Sequence, residues 1–583
     1  MNNLMSGDPN PVPTGIELDV AIVGGGVSGL YTGYRLCTGS FAGGGGPPAS
    51  IGLFESSGRL GGRLESVVLP GMEIAGELGG MRYMTSQKIA TTLIESVFAS
   101  ELQHVDFPMG LDAHRLFYLR TQRFLANSWA AGQESGTPFR TNYELNEGDV
   151  GFSPEQLFNK VVYDVLMADP EIARAFGSKM KQASQCSYEI NLTSQDWDAI
   201  KPVVRYTFAG SPYNGMLVND MGFWNLLKDQ CSQEGYDFLA DGGGYYSNTI
   251  NWNAAEAFEN MVGDFTGTDV AYRTIVGGYD RIAGALADHL AEEPRATIWT
   301  GARLVRVDRA VGTDRRYSLT IANQSGGAPV QVLANAVVLA LPRRSLELLD
   351  QDCFLFNDED SDTPTALADT LPSVLLQPSF KLLMGFEEPW WKGDLGATSG
   401  ESITDLPMRQ CYYFGTDPTD SHSLFLGSYN DMDTVSFWSA LQQAQAKLFT
   451  PHATALADAD AVAALAEFQA PQIMVEEGMK QVRELHGPEP KPIPDPYITY
   501  YKDWAEDPFG GGYHAWAAAV PVKEAMPYMR QPLAAESIHV CGEAYSDLQG
   551  WIEGAFCVAE HMLQEHFGME WPAWLEKGYY LGW

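Results

Sequence analysis

DVAIVGGGVSGLYTGYRL, residues 19–36, and IGLFESSGRLGGR, residues 51–63, decide how this chain is read. Val20–Val23 is the short apolar run of a buried strand, and Leu30–Leu36 begins a helix. Between them stand Gly24, Gly26 and Gly29 in G-x-G-x-x-G spacing. In that pattern the first glycine makes the tight turn and the second admits a pyrophosphate to the backbone. The third lets helix and strand pack closely, with the phosphate charge on the helix N-terminus. Val27 and Ser28, inside the motif, belong to the same predicted site. The second strand ends at Glu55, beside Ser56, where a carboxylate accepts from the hydroxyls of an adenosine ribose. Glu55 follows Gly29 at more than the usual ~20 residues, and the insert Gly43–Gly46 with Pro47 and Pro48 accounts for the excess. A surface acid following a strand is the alternative for Glu55.

Directly after Glu55 come Arg59, Gly61, Gly62 and Arg63, an R-x-G-G-R run. Paired glycines permit close backbone approach, and the flanking arginines can neutralise a diphosphate. This run resembles the second motif of the flavin-containing amine oxidases, a family of monoamine, polyamine and L-amino-acid oxidases. The resemblance implies FAD as cofactor. It is reinforced far downstream by IHVCGEAYSDLQGWIEGAFCVAEHML, residues 538–563, which is similar to the family's closing flavin motif. There Gly542 and Glu543 follow a strand, and a helix starts near Gly550. By resemblance Glu543 and the backbone of Ile552 touch FAD, the helix dipole stabilising charge on reduced flavin. Leu304, in ATIWTGARLVRVDRA, joins the same site.

Composition and charge bound the remainder. A chain of 583 residues buries a large core and divides into two or three domains. With 37 Lys and Arg against 74 Asp and Glu, the net charge of −37 disfavours nucleic acid and anionic membranes. No apolar run approaches the ~18 residues of a membrane span. MNNLMSGDPNPVPTG lacks a basic n-region and an apolar core, so the expectation is a disordered lead-in and a cytoplasmic enzyme. The ending EWPAWLEKGYYLGW is amphipathic and expected to pack on the protein surface. Seven scattered cysteines without C-x-x-C argue against a disulfide framework or a metal site.

The resulting fold class is α/β (α+β): a Rossmann-like FAD-binding domain, a mixed-sheet substrate domain and a helical insertion. The FAD domain is expected to be discontinuous, over 17–66, 270–345 and 530–568. The substrate domain takes 67–130 and 346–529, and the helical domain 131–269. Residues 1–16 form the lead-in and 569–583 the tail. PEQLFNKVVYDVLM, PEIARAFGSKMKQ and NDMGFWNLLKDQ carry helical periodicity within the insertion.

Within the amine oxidases, four stretches point toward L-amino-acid oxidases. ELGGMRY (77–83) is similar to a run that crosses the flavin face, implying Gly80 and Met81 at the cofactor and Arg82 on the substrate carboxylate. A planar fork of donors suits a carboxylate; an internal salt-bridge arginine is the alternative. LFLGSYND (424–431) implies that Tyr429 donates to the same carboxylate, or else is a core tyrosine. PSFKLLMGFEEPWW (378–391) implies Lys381 beside flavin N5, where a cation promotes O2 reduction; an edge-strand lysine is the alternative. KDWAEDPFGGGYHAW (502–516) has Gly512 where monoamine oxidases hold a flavin-linking cysteine, so FAD is expected to be noncovalent. Tyr513 and Trp551 then flank the substrate, and the Gly550 carbonyl faces its amino group.

The expectation is an FAD-dependent L-amino-acid oxidase that transfers hydride from Cα to flavin N5 and releases 2-oxo acid, ammonia and hydrogen peroxide. Its partners are a small L-amino acid, apolar or aromatic by preference, and O2; the family prior is a homodimer. Residues 151–235 contain no histidine to act as base, and His514 and His422 are the nearest to the motifs. Alternatives are an oxidase of amines lacking a carboxylate, a demethylase-like scaffold, or a lysine- or arginine-selective enzyme if Asp220 lines the pocket.

Overall fold

The apolar strands of the two opening motifs lie side by side. Ile16–Val23 pairs in parallel with Ile51–Phe54 on one edge and Val330–Leu339 on the other, with Val20 between Ile51 and Ala336. The computed structural model describes residues 10–266, 270–358, 363–364, 366–419, 421–443, 447–450, 470–487 and 492–583. Its first large sheet runs Ala296–Trp299, Ile51–Phe54, Ile16–Val23, Val330–Leu339, Tyr317–Asn323, Ala302–Arg309, with Ile538–Val540 also joined to Val330–Leu339. The first four strands and Ile538–Val540 are parallel, and the others antiparallel. Ile51–Phe54 is buried at every position, as a parallel strand covered on both faces must be. Helices Val27–Thr38, Arg281–Ala291 and Ile552–Phe567 supply one cover through Leu30, Leu286 and Phe556.

A second sheet of seven strands runs Ile498–Asp503, Ser379–Phe386, Ser423–Asp431, Gln410–Thr416, Glu401–Thr404, Leu116–Leu119, Gln122–Leu125. Ser379–Phe386 is buried throughout and places Lys381 opposite Tyr429. Strand Val374–Gln377 pairs separately with Tyr513–Trp516.

Between residues 154 and 266 helices dominate: Pro154–Ala168, Pro170–Phe176, Ser194–Ile200, Phe223–Gly242 and Ala254–Thr266. Their starts are written locally. Ser153 and Gln156 form a capping box ahead of Pro154, and Asp169 caps the helix opened by Pro170. The helical reading of PEIARAFGSKMKQ stops too late, however. Helix ends at Phe176, and Met180–Ser184 pairs with Ser187–Ile190 as a hairpin. Lys181–Ser184 is exposed, so no alternating apolar signal marked the strand.

The expected lead-in also ends sooner than residue 16. Val12 is 3% exposed within the core beside the first sheet, and its N–H donates to Asn323 Oδ1 at 3.0 Å; residues 1–9 lie outside the described part. At the other end Leu575 and Leu581 are buried against the first-sheet helices. The Arg530 guanidinium donates to the Trp583 carbonyl at 2.6 Å. Among the described residues no helix is long and apolar enough to cross a membrane.

Candidate active site

Two cavities meet at one wall. The first, about 540 Å³, is bordered by Gly24, Gly26, Val27, Ser28, Glu55, Ser56, Arg63, Gly80, Gly542, Glu543, Gly550, Trp551 and Ile552. All thirteen are residues the sequence motifs proposed for the cofactor. The strand-to-helix turn leaves no room for side chains: Gly24 has φ +107° and a Cβ there would lie 2.4 Å from the Ala340 carbonyl oxygen. Gly26 and Gly62 stand face to face, a Cβ on Gly62 reaching 3.1 Å from the Gly26 Cα. Helix N-termini at Val27 and Ile552 bring unpaired backbone N–H groups to the cavity. Glu55 Oε1 accepts from Ser57 N–H and from the Ser56 and Ser57 hydroxyls, while Oε2 accepts from Gly25 N–H alone at 2.8 Å and retains capacity for a further donor. This cradle, with donors at both helix ends and an acid at the second strand end, fits a dinucleotide.

Some of the predicted contacts fall elsewhere. Gly29 does not border the cavity; its absent Cβ lets the helix seat 2.0 Å from the Gly24 carbonyl oxygen, measured from where that Cβ would be. Leu304 is turned into the core, and its strand neighbour Arg303 borders the cavity instead, as alternation along a strand requires. Met81 borders only the second cavity. Arg59 spends its N–H groups on the carbonyls of Leu60, Gly62 and Leu64. Arg63 is bound through one terminal nitrogen to Glu543 at 2.7 Å and to the Gly512 carbonyl at 3.0 Å, and both arginines border the first cavity while bracing its loops. Glu543 also accepts from the backbone of His514 and Gly550, both at 2.9 Å. Burial opposes its ionisation, yet Arg63 and His514 hold its pKa well below the usual carboxylate range. It fixes the Gly550 turn against Tyr513–Trp516.

The second cavity, about 360 Å³, shares Gly80, Tyr513, Gly550, Trp551 and Ile552 with the first and adds Arg82, Tyr429 and Tyr245. Arg82 lies with its guanidinium 4.6 Å from the Tyr272 ring centre and 5.2 Å from that of Phe107. Its one hydrogen-bond contact is Met109 Sδ at 3.2 Å, and among the described residues no carboxylate pairs with it. Burial disfavours its charge, but Tyr412, Tyr245 and Glu401 around it raise its pKa above the ordinary arginine value. Burial pushes Tyr429 up to about 12, so its phenol remains a donor. Tyr513 and Ser247 share a hydroxyl hydrogen bond, tying the helical segment to the shared wall. Trp551 is stacked on Tyr272 at 6.4 Å.

Lys381 lies behind the second cavity, its amine 4.4 Å from the centre of the Tyr429 ring that borders it. It borders neither cavity and is 2% exposed. Its amine donates to the carbonyls of Glu77 at 3.2 Å and Gly79 at 2.6 Å, with Met81 Sδ at 3.9 Å. An ammonium has three donors, and all three have acceptors here. Burial pushes its pKa down, against the pull of Glu77. Asp220 is exposed on a short turn and lines neither cavity. His422 packs on Tyr497 at 5.3 Å. Arg115 and Glu401 at the second cavity, and Arg303 and Gln324 at the first, escaped the sequence reading. They come from separate segments, and no spacing links them.

The comparisons agree with this architecture. Wild-type putrescine oxidase bound to putrescine superposes with a TM-score of 0.59 at 16% identity, over 94% of this chain and 99% of that one. Aplysianin-A of Aplysia kurodai is 24% identical over 571 residues, covering 94% of this chain and 90% of its own. Achacin of Lissachatina fulica is 22% identical, covering 94% and 93%. An L-amino-acid oxidase of Sistrurus catenatus edwardsii is 23% identical over 425 residues, 72% of this chain and 68% of its own. The family profile described as flavin containing amine oxidoreductase matches residues 27–557, and the chain belongs to that family.

Proposed function

We propose that this flavin-dependent oxidoreductase is an L-amino-acid oxidase that binds FAD noncovalently. The observation that carries the reading is Arg82, a guanidinium at the second cavity beside two aromatic rings, with no carboxylate among the described residues in an ion pair with it, Glu401 acting on it only from a distance. A planar fork in such a place selects a carboxylate from solution. Tyr429, protonated across the working range, adds a donor to the same group.

FAD, when bound, supplies the two-electron acceptor for the Cα–H of the substrate and a route for those electrons to O2. The turn Gly24–Ser28 and the helix N-terminus behind it would hold its phosphates, Glu55 its ribose, and the N-terminus at Ile552 the ring's polar edge. Tyr513 and Trp551 border both cavities and orient the substrate's Cα toward the shared wall. The Gly550 carbonyl receives the amino group. Water displaced by a bound substrate would strengthen the Arg82 contact. Overall, amino acid, O2 and water give 2-oxo acid, ammonia and hydrogen peroxide. Lys381 acts indirectly, by holding the backbone of Glu77 and Gly79 that leads to Arg82.

Peroxide release from L-amino acids, with little from the corresponding decarboxylated amines, is the expected result of a substrate panel; the reverse preference contradicts the reading. Noncovalent attachment is supported by Gly512, which offers no thiol for the cysteine linkage and where a Cβ would stand 2.0 Å from Ser379 Oγ. Acid precipitation should leave the yellow cofactor in the supernatant; colour retained in the pellet would refute this.

A further inference from the structure

Lys201 closes the helix Ser194–Ile200 and is 2% exposed. Its amine meets three carboxylates, Glu256 and Glu259 at 2.9 Å and Asp547 at 2.8 Å. An ammonium has three donors, and all three are used. Burial disfavours its charge, but the carboxylates hold its pKa well above the ordinary lysine value. Glu256 and Glu259 stand on helix Ala254–Thr266, so those two pairs stay within the helical segment. Asp547 lies elsewhere. It belongs to the closing flavin motif, in the loop between Tyr545 and the helix that starts at Ile552, just ahead of Gly550 and Trp551.

On its other side that loop is held closely. Trp516 Nε1 donates to the Ser546 carbonyl at 2.9 Å, Gln549 Nε2 to the Ala544 carbonyl at 2.6 Å, and Gly550 N–H to Glu543 at 2.9 Å. Toward the helical segment, close packing gives way to a third cavity of about 490 Å³, bordered by Asp547, Leu548, Gln549 and Trp551 together with Glu256 and Glu259. Trp551 borders this cavity as well as the other two. Tyr580 of the tail, whose hydroxyl donates to Asp198 at 2.5 Å, also reaches Asp547. Beside that open space the Lys201–Asp547 ion pair joins the loop to the helical segment.

We propose that Lys201 is a positioning residue: through Asp547 it sets where the loop presents the Gly550 carbonyl and the Trp551 ring at the wall shared by the first two cavities. The proposal rests on the assignment of the second cavity to the substrate, and it holds for an amino acid or an amine, since either meets that wall. One ammonium against three carboxylates leaves an excess of negative charge, so the charge of Asp547 is dispensable and its reach is not. A misplacement of about 1 Å can lower a rate by about a hundredfold.

The test uses the FAD-loaded enzyme and whichever L-amino acid or amine the wild type oxidises best, with kcat, KM, bound flavin and Tm measured for each variant. Asp547→Ala cuts the tie to the loop; Glu259→Ala cuts a tie of the same lysine within the helical segment. Asp547→Ala should lower kcat/KM by about tenfold to a hundredfold at equal flavin content, while Glu259→Ala stays close to the wild-type value. Asp547→Asn, which keeps the length and an accepting oxygen, should recover most of the loss. A merely structural role would move Tm and leave the kinetics of the folded enzyme alone. If Asp547→Ala does not fold, Asp547→Glu decides: it keeps the charge, lengthens the tie by one methylene, and should also lower kcat/KM. Equal losses in Asp547→Ala and Glu259→Ala, no recovery in Asp547→Asn, or a wild-type kcat/KM in Asp547→Glu would overturn the proposal. Peroxide from amines and from no amino acid would overturn the amino-acid reading alone, and the same variants would still decide the role of Lys201.

Discussion

His486 couples the substrate domain to pH. It ends helix Gln472–His486, with Nδ1 at 2.7 Å from the Val482 carbonyl and Nε2 at 2.8 Å from the Tyr413 hydroxyl. A carbonyl only accepts, so Nδ1 carries the hydrogen and Nε2 receives the Tyr413 O–H. Burial depresses its pKa from 6.5 to about 4, outweighing the Val482 hydrogen bond. The unfolded chain therefore binds a proton between these values while the fold does not. The stabilisation is complete above pH 6.5 and is lost as pH falls through about 4, worth up to roughly 3 kcal/mol. Apparent Tm measured from pH 7 to 4 should fall more steeply in the wild type than in His486→Asn; parallel profiles would refute the assignment. At this scale the meeting of Arg82 and Tyr429 at one cavity was legible because each stands inside a short contiguous motif. The acceptors of Lys381 were not, since its motif fixes its strand but not what the amine meets.

Helix Ile552–Phe567 joins the nucleotide turn to the rest of the fold through buried charge. Glu560 accepts from Arg35 at 2.7 and 2.9 Å and from Tyr31 at 2.7 Å; Glu553 accepts from Ile89 and Ala90 N–H, both at 2.8 Å. Arg35 projects from helix Val27–Thr38, so the pair locks together the two helices whose N-termini border the first cavity. Removing one partner of such a pair costs about 3–5 kcal/mol. Arg35→Met should therefore lower apparent Tm sharply and weaken flavin retention. Glu171→Gln, which breaks an exposed pair with Arg174, should change stability by less than about 1 kcal/mol. Equal shifts in the two variants would contradict this account. The helices were legible where caps and prolines mark them, as at Ser153 and Pro154. The hairpin Met180–Ile190 was not, because an exposed strand carries little apolar periodicity.

Across the whole molecule, the second cavity, proposed here to take the substrate, is lined from four separate stretches, around Arg82, Tyr429, Tyr513 and Trp551. The nucleotide cradle could be read from sequence because phosphates are held by backbone geometry, which glycines announce. Side-chain walls assembled from separate segments leave no such trace. At a net charge of −37 the molecule repels a free carboxylate at long range, so local attraction to Arg82 has to overcome that field. The most direct measurement is kcat/KM for L-phenylalanine and phenethylamine, in wild type and Arg82→Met, with bound flavin quantified in each. The wild type should favour the amino acid. Loss of a buried charge partner, at about 3–5 kcal/mol less solvent leakage, should lower its kcat/KM by roughly two to three orders of magnitude. Phenethylamine should change far less, at unchanged flavin content. Equal loss on both substrates together with loss of FAD would make Arg82 a structural or cofactor residue and contradict the amino-acid reading.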